Sequence, residues 1–253
     1  MFKRAIVKTP SKTMVKGIST AGLGLPDYEL ALRQHANYVS TLKECGLEVT
    51  TLEADEAYPD STFVEDVALL TKVCAIITNP GADSRRGETV AMKKVLKGFY
   101  ENIEEVYEPG RVEAGDIMMV GDHFYIGLSE RTNQSGAAQV IGYLEKYGMS
   151  GSVVTLEEVL HLKTGIAYLE ENNLLACGEF LTKPEFQQFN ILEIDRSESY
   201  AANCIWVNST VIIPKGYPKA HKTIESAGYS IIEVDVSEFK KLDGGLSCLS
   251  LRF

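Results

Sequence analysis

Five polar residues that could do chemistry recur along the chain at nearly constant spacing. Asp66, Glu113, His161, Asn203 and Cys248 lie 47, 48, 42 and 45 residues apart. A thiolate is a strong nucleophile toward an sp² carbon. An imidazole can hold that thiolate as an ion pair, protonate a departing amine and then deprotonate a water molecule. A carboxylate can orient the imidazole or bind a cationic substrate.

Two acidic clusters contain more carboxylates than one imidazole needs. The stretch "DSTFVED" adds Asp60 and Glu65, and "EAGD" adds Asp116. Several carboxylates beside a nucleophile fit a guanidinium substrate, whose planar fork pairs with them in a bidentate manner. Arg85 in "SRRGE" and Arg131 in "SERTN" are candidates for binding a substrate carboxylate.

A repeated set of short strands must position these residues. Each copy opens with a strand rich in apolar and β-branched residues, continues through an irregular stretch that carries the polar residue, and in most copies ends in a strand pair. Helical patterns separate several copies, most clearly over 27–45, 85–100 and 132–148. The opening strands are predicted in 47–53, 103–109, 151–157, 189–195 and 229–235.

The period of the repeat predicts a ring of units. Repeats of about 40–50 residues indicate stacked or radial architectures, and five units would close as in a propeller. The fifth copy lacks its last strand, which the N-terminal "FKRAIVKTP" could supply. We therefore predict a five-bladed, pseudosymmetric α/β fold in one domain over 1–253. Cys248 is expected on the last strand, set by Gly244 and Gly245, and the recurring polar side chains are expected to share one central cavity.

Composition narrows the classes of function. With 45% hydrophobic residues, the chain of 253 residues can bury a core. The net charge of −10 argues against a nucleic-acid partner and is compatible with a small cationic substrate. No apolar stretch approaches the roughly 20 residues of a membrane span. Five widely spaced cysteines without a CxxC pair predict a reduced, cytoplasmic protein. The four histidines lack the spacing of a metal site, so no metal is predicted. The sequence also contains no dinucleotide fingerprint, so no cofactor is predicted.

Long motifs resemble the dimethylarginine dimethylaminohydrolases, members of the guanidino-modifying pentein superfamily, from one end of the chain to the other. The matching stretches are "FVEDVALL", "SRRGE", "VEAGDIMMVGDHFYIGLSERTN", "LHLKTGIAYL", "ESYAANCIWVN" and "VDVSEFKKLDGGLSCLSLRF". The resemblance implies a propeller of five ββαβ blades. It also implies hydrolysis of Nω-methylated and Nω,Nω-dimethylated arginine to citrulline and methylamine or dimethylamine, through a covalent S-alkylthiouronium intermediate and without metal or cofactor.

The resemblance also implies a role for each site residue. Cys248 would be the nucleophile, His161 the general acid and base, and Glu113 the third catalytic residue. The loop 17–24 would act as a lid. The substrate-binding residues would be Asp60, Glu65 and Asp66 at the guanidinium end, Arg85 and Arg131 at the α-carboxylate, and the backbone of Ile18 and Leu242 at the amino-acid part.

Three alternatives stay open at this point. The chain could hydrolyse another guanidino or ureido compound, such as arginine or citrulline, or, with less support, transfer an amidino group. The third hypothesis is a propeller that only binds ligands, in which replacing Cys248 leaves the behaviour of the protein unchanged. The assembly state is also open, with a homodimer as one option.

Overall fold

The computed structural model describes residues 1–253 and contains fifteen strands and five α-helices. Each segment predicted to open a repeat contains a strand, and the three predicted helices are present. The strands are β1 (Arg4–Lys8), β2 (Glu48–Leu52), β3 (Ala68–Leu70), β4 (Ala75–Ile77), β5 (Ile103–Glu105), β6 (Ile117–Val120), β7 (His123–Leu128), β8 (Ser150–Thr155), β9 (Ile166–Tyr168), β10 (Asn173–Ala176), β11 (Asn190–Glu193), β12 (Ile205–Val207), β13 (Thr210–Pro214), β14 (Ser230–Val234) and β15 (Leu251–Arg252). The helices are α1 (Tyr28–Glu44), α2 (Glu88–Leu96), α3 (Gln134–Lys146), α4 (Pro218–Ser226) and α5 (Ser237–Lys240).

The strands form five sheets of three, all with one pattern. In β3–β4–β5, for example, β3 pairs antiparallel with β4, which pairs in parallel with β5. A parallel neighbour requires a crossover connection, here α2. The repeating unit is therefore ββαβ in four of the five sheets, and in β9–β10–β11 two 3₁₀ turns, Gly178–Leu181 and Pro184–Phe186, take the place of the helix. The predicted unit boundary was wrong by one strand, because the strand expected to open each unit closes the preceding sheet.

The first sheet joins the two ends of the described chain. Its central strand β1 pairs antiparallel with β15, in the register Ala5↔Arg252 and Ile6↔Leu251. On its other side β1 pairs in parallel with β2. The prediction that the N-terminal strand completes the fifth copy is confirmed. Cys248, which we expected on this last strand, lies just before it.

Contacts divide the chain into two compact units. The first unit, 1–64 with 165–252, contains the sheets β15–β1–β2, β9–β10–β11 and β12–β13–β14, and the second, 65–164 with Phe253, contains β3–β4–β5 and β6–β7–β8. Each unit buries its own apolar side chains, such as Leu42 and Phe239 in the first and Phe124 and Leu144 in the second. The single domain over 1–253 stays a prediction.

Helix α1 shows how local sequence and packing agree. Asp27 caps its start, with its side chain accepting a hydrogen bond from the Leu30 N–H. Gly46, at φ +88°, follows its end in the left-handed conformation. One face of the helix, with Ala31, Tyr38 and Leu42, is buried. The Tyr38 hydroxyl lies 2.9 Å from the Leu246 carbonyl oxygen and 2.7 Å from Ser250 Oγ. The helix thereby holds both sides of the turn that carries Cys248.

The five recurring polar residues all lie in or beside short 3₁₀ turns. Each turn is followed, directly or after one or two residues, by the first strand of a sheet, so the positions correspond in all five repeats. Asp66 and Cys248 lie within such turns, Glu113 and His161 directly precede them, and Asn203 directly follows one; the turns are Val64–Val67, Ala114–Asp116, Leu162–Thr164, Arg196–Ala202 and Ser247–Leu249. None of the helices has the length and apolar character needed to span a bilayer.

Candidate active site

Cys248 lies in the middle of the 3₁₀ turn Ser247–Leu249 and is half-buried. The Gly245 N–H points at its Sγ over 3.4 Å, and the Cys248 N–H donates to the Gly245 carbonyl oxygen at 3.2 Å. A donor aimed at sulfur favours the thiolate over the thiol. The expectation that Cys248 lies on a strand was wrong, because the backbone folds back on Gly245 before β15 begins.

Two glycines are required before the cysteine because neighbouring side chains lie very close to this part of the backbone. A Cβ atom on Gly244 would lie 2.1 Å from a ring carbon of Phe63, and one on Gly245 would lie 2.4 Å from the carboxamide carbon of Asn203. Both distances are far inside van der Waals contact. Only glycine therefore allows the segment to pack against these two buried side chains.

The residues expected at the amino-acid end of the substrate cluster in the first unit. The Ile18 N–H donates to Asp60 Oδ1 at 3.0 Å. A Cβ atom on Gly17 would lie 2.7 Å from the same oxygen and 3.4 Å from Leu242 Cδ1. Asp60, expected at the guanidinium end, thus holds the backbone beside Ile18 and Leu242.

The predicted lid loop is tied to the segment that leads to the cysteine. Ser19 Oγ donates to the Lys241 carbonyl oxygen at 2.6 Å, and the Thr20 N–H donates to Asp243 Oδ2 at 2.5 Å. Gly22 and Gly24 adopt positive φ angles in open surroundings. The loop is thus anchored at its start, at Ser19 and Thr20.

His161 and Glu113 form a close pair in the second unit. His161 Nε2 lies 2.8 Å from Glu113 Oε2, with the side chains 15% and 2% exposed. The Ala82 N–H donates to the other carboxylate oxygen, Oε1, at 3.0 Å. The hydrogen bond to Glu113 uses the Nε2 atom of His161, which leaves Nδ1 as the ring nitrogen for proton exchange.

The acids around His161 keep the imidazole protonated. Burial by itself lowers the pKa of His161, but the hydrogen bond that the ring donates to Glu113 and the charges of Asp66 and Asp116 outweigh it and raise the pKa to about 9. The ring therefore carries a proton at neutral pH, as an acid that must protonate a leaving amine needs to do.

Asp66 and Arg85 form a buried ion pair beside the imidazole. Arg85 Nη1 lies 2.5 Å from Asp66 Oδ2, and its Nη2 lies 2.9 Å from Glu88 Oε2. Burial opposes ionisation of Asp66, yet the charges of Arg85 and His161 hold the pKa of its carboxyl below the usual value. The Gly115 N–H adds a hydrogen bond to Asp66 Oδ1 at 3.1 Å. The guanidinium of Arg85 is thus engaged by protein carboxylates, while that of Arg131, 21% exposed, lies 3.7 Å from Glu113.

Sequence reasoning missed Lys163 and the role of Asp116. Lys163 Nζ lies 2.6 Å from Glu65 Oε1, in a pair with side chains 17% and 5% exposed. Asp116 is fully buried and accepts from Ser129 Oγ at 2.7 Å and from the Leu162 N–H at 2.9 Å, directly after His161. The available signals were the motifs "HLK" and "EAGD", but spacing alone does not reveal these partners.

Asp66, Glu113 and His161 also have the residue types of a metal site. One ligand atom from each lies within 4.8 Å of the others. Arg85 and the Gly115 N–H already engage Asp66, and the imidazole and the Ala82 N–H engage Glu113. A cation here would have to displace the Arg85 guanidinium, so the donor set fits acid–base chemistry better than metal binding.

The model of the family "N,N dimethylarginine dimethylhydrolase, eukaryotic" matches residues 27–250. Over 254 residues and the full length of both chains, the protein is 60% identical to the N(G),N(G)-dimethylarginine dimethylaminohydrolase of Pseudomonas aeruginosa. It is 32% identical to that of Streptomyces coelicolor, covering 99% of this chain and 96% of the other.

Solved structures match over the whole chain. A cysteine-to-serine mutant of the Pseudomonas aeruginosa enzyme complexed with citrulline gives a TM-score of 0.99 at 59% identity, with 100% of both chains covered. The N-terminal domain of ArgZ, an arginine dihydrolase, gives 0.90 at 19% identity, covering 100% of this chain and 97% of the other, and supports the fold alone. These matches and the five three-stranded sheets confirm the predicted five-bladed α/β fold class. This chain belongs to the dimethylarginine dimethylaminohydrolase family.

Proposed function

We propose that this chain hydrolyses Nω-methylated and Nω,Nω-dimethylated L-arginine to L-citrulline and methylamine or dimethylamine. The observation that carries the proposal is the imidazole of His161, which Glu113, Asp66 and Asp116 keep protonated at neutral pH. A dialkylamide anion is too basic to leave a carbon centre unprotonated. A protonated imidazole paired with a buried carboxylate meets this requirement.

Relatives support the same chemistry. The Pseudomonas aeruginosa enzyme was solved with citrulline, the amino-acid product proposed here. A histidine-to-glycine mutant of a dimethylarginine dimethylaminohydrolase, 59% identical to this chain with a TM-score of 0.99, was solved as an adduct with S-methyl-L-thiocitrulline. The mutated residue types, a cysteine and a histidine, are those to which we assign the nucleophile and the acid.

In the first half-reaction Cys248 attacks the central guanidinium carbon. A carbon–sulfur bond forms while one carbon–nitrogen π bond shifts its electrons onto nitrogen, which gives a tetrahedral adduct. His161 then transfers its proton to the methylated nitrogen, and the carbon–nitrogen bond breaks to release the amine. The product of this half is the S-alkylthiouronium and a neutral imidazole.

In the second half-reaction the neutral imidazole takes a proton from water. The hydroxide oxygen bonds to the thiouronium carbon, the carbon–sulfur bond breaks, and sulfur leaves as thiolate. Loss of one proton to solvent leaves the ureido group of citrulline. The protonated His161 and the Cys248 thiolate are thereby regenerated.

The substrate would be held by the residues expected from the sequence. Glu65 and Asp66 bind the guanidinium, and Arg131 binds the α-carboxylate. The backbone of Ile18 and Leu242 contacts the amino-acid part, and Asp60, predicted at the guanidinium end, accepts a hydrogen bond from the Ile18 N–H. Binding of the α-carboxylate by Arg85 stays a prediction, since its guanidinium is 7% exposed and already pairs with Asp66 and Glu88.

The decisive experiment is mass spectrometry of enzyme quenched during turnover of dimethylarginine. The proposal expects an adduct on the peptide that contains Cys248 and stoichiometric release of dimethylamine and citrulline. Arginine and citrulline serve as competing substrates, and faster ammonia release from either would favour the alternative hydrolases. A Cys248→Ser variant that turns over normally would contradict the covalent route.

Two further predictions belong to this proposal. The cytoplasmic location is consistent with five free cysteines and is tested by fractionation of cells expressing the protein. The homodimer is tested by light scattering of the purified chain.

A further inference from the structure

Asn203 occupies in its repeat the position that Asp66, Glu113, His161 and Cys248 occupy in theirs, yet the mechanism above gives it no role. Its side chain is 7% exposed. The carboxamide Oδ1 accepts a hydrogen bond from the Ser247 N–H at 2.9 Å. This donor is the backbone amide directly before the cysteine.

The same carboxamide lies flat against Gly245. A Cβ atom on this glycine would come within 2.4–2.6 Å of the carbon, nitrogen and oxygen of the Asn203 amide group. Gly245 is the residue whose N–H is aimed at Cys248 Sγ. Asn203 therefore contacts the nucleophile turn both at the residue that donates to sulfur and at the residue before the cysteine.

A second side chain from the same 3₁₀ segment holds the start of the turn. Tyr200 Oη donates to the Gly244 carbonyl oxygen at 2.7 Å, and the Asn203 N–H donates to the Tyr200 carbonyl oxygen at 3.2 Å. The Phe63 ring also packs closely against Gly244. Tyr200 and Asn203 thus fix the turn at Gly244, Gly245 and Ser247.

We propose that Asn203 is a positioning residue for the nucleophile, whose carboxamide fixes the turn Gly244–Cys248 so that the Gly245 N–H stays directed at sulfur. The geometry assigns it an action through the backbone, with no contact to substrate. The assignment rests on the proposed function only in taking Cys248 as the nucleophile. Without the carboxamide the turn loses one hydrogen bond and one packed surface, and the donor to sulfur moves away.

The test is the rate of Cys248 alkylation by iodoacetamide as a function of pH, read by mass spectrometry of the Cys248 peptide. Asn203→Ala is expected to slow alkylation at pH 7 by about tenfold, because the thiolate that reacts with iodoacetamide becomes less populated when its N–H donor moves away. The pH of half-maximal rate is expected to rise, because the thiolate loses its donor.

Asn208→Ala is the matched control. Asn208 accepts from the Phe2 N–H and donates to the carbonyl oxygens of Phe2 and Cys45, so its loss destabilises the same unit. It is expected to lower the unfolding midpoint while leaving the alkylation profile unchanged. If both asparagine variants shift the profile equally, or if neither does, the assignment is overturned.

Tyr200→Phe provides a second variant should Asn203→Ala fail to fold. It removes only the hydrogen bond to the Gly244 carbonyl oxygen and is expected to slow alkylation in the same direction by a smaller factor. An unchanged profile in this variant would also count against the assignment. Because the assay needs no methylarginine, a wrong substrate and a wrong positioning role give different results.

Discussion

The Nε2 atom of His161 lies 2.8 Å from Glu113 Oε2, and the carboxylate has almost no contact with water. A second oxygen of the same carboxylate accepts from the Ala82 N–H, so its orientation is fixed from two sides. The ring therefore has one nitrogen anchored to an acid and the other, Nδ1, left for exchange of the proton.

Glu113→Gln is expected to lower kcat by about 10²–10⁴, the range typical of general acid–base catalysis. The neutral amide no longer stabilises the imidazolium, so the pKa of His161 is expected to fall from about 9. The measurement is an NMR titration of the His161 ring together with the pH profile of kcat. Glu48→Gln, in an exposed ion pair with Arg4, is the control and should change neither. A His161 titration that does not move would contradict the electrostatic role of Glu113.

The protonation of His161 also predicts how stability depends on pH. Its pKa is raised in the folded state from 6.5 to about 9, so this contribution is fully present below pH 6.5 and is lost as the pH rises through 9. It is on the order of 3 kcal/mol. Urea unfolding at pH 6.5 and pH 9.5 should show a loss of this order in the wild type and a much smaller one in His161→Gly. Equal losses in both proteins would rule out His161 as the source.

Gly115→Ala is expected to reduce activity strongly with little loss of secondary structure. The added Cβ would lie 2.7 Å from Asp66 Oδ1 and 3.2 Å from the His161 ring, so it must displace the acid or the imidazole. Gly142→Ala is a matched control inside α3, where the Cβ meets nothing within 4 Å. It should keep full activity and gain about 0.5–1 kcal/mol of stability. Steady-state kinetics and thermal unfolding of both variants test this prediction. Full activity in Gly115→Ala would contradict the close packing around this glycine.

Ser19→Ala should loosen the anchored start of the lid loop. The variant loses the hydrogen bond to the Lys241 carbonyl oxygen, so the closed loop becomes less populated. We expect KM to rise several-fold with kcat nearly unchanged, and limited proteolysis within residues 18–25 to become faster. Ser40→Ala on the exposed side of α1 serves as the control. A KM equal to that of the wild type would show that this contact does not govern closure.

Lys163→Met should destabilise the protein by about 3 kcal/mol, because it removes the cation that lies 2.6 Å from the buried carboxylate of Glu65. Lys146→Met removes a pair of similar geometry on the surface, where the lysine is 59% exposed, and should lower the stability much less because water screens this pair. Chemical denaturation of both variants gives the comparison. Equal effects would mean that Lys163 and Glu65 are solvated in solution.

The repeat pattern predicted the strands and the equivalence of the recurring polar positions, because both leave a local signal in the sequence. Unit boundaries were wrong because β4 and β5 pair in parallel across a helix, and no local pattern records that pairing. Cys248 was placed on a strand because a 3₁₀ turn of three residues carries no periodicity of its own.

The chemistry-bearing side chains were found by residue type, but their partners were not. Lys163 is 98 residues from Glu65, and Asn203 is 44 residues from Ser247. Such contacts depend on which turns the fold brings together. The pKa of His161 depends on three acids from two separate turns, so its value was beyond the reach of spacing arguments.

The pairing of Ala5 with Arg252 closes a loop of almost the entire chain. Loop-closure entropy grows with length, so this contact is the most expensive strand pairing to nucleate and should form after the local hairpins. A partly folded chain then has its hairpins but no ordered thiol turn. The Gly245 N–H would therefore be placed beside the Cys248 sulfur only in the last folding phase, so catalytic competence would be the final property that the chain acquires.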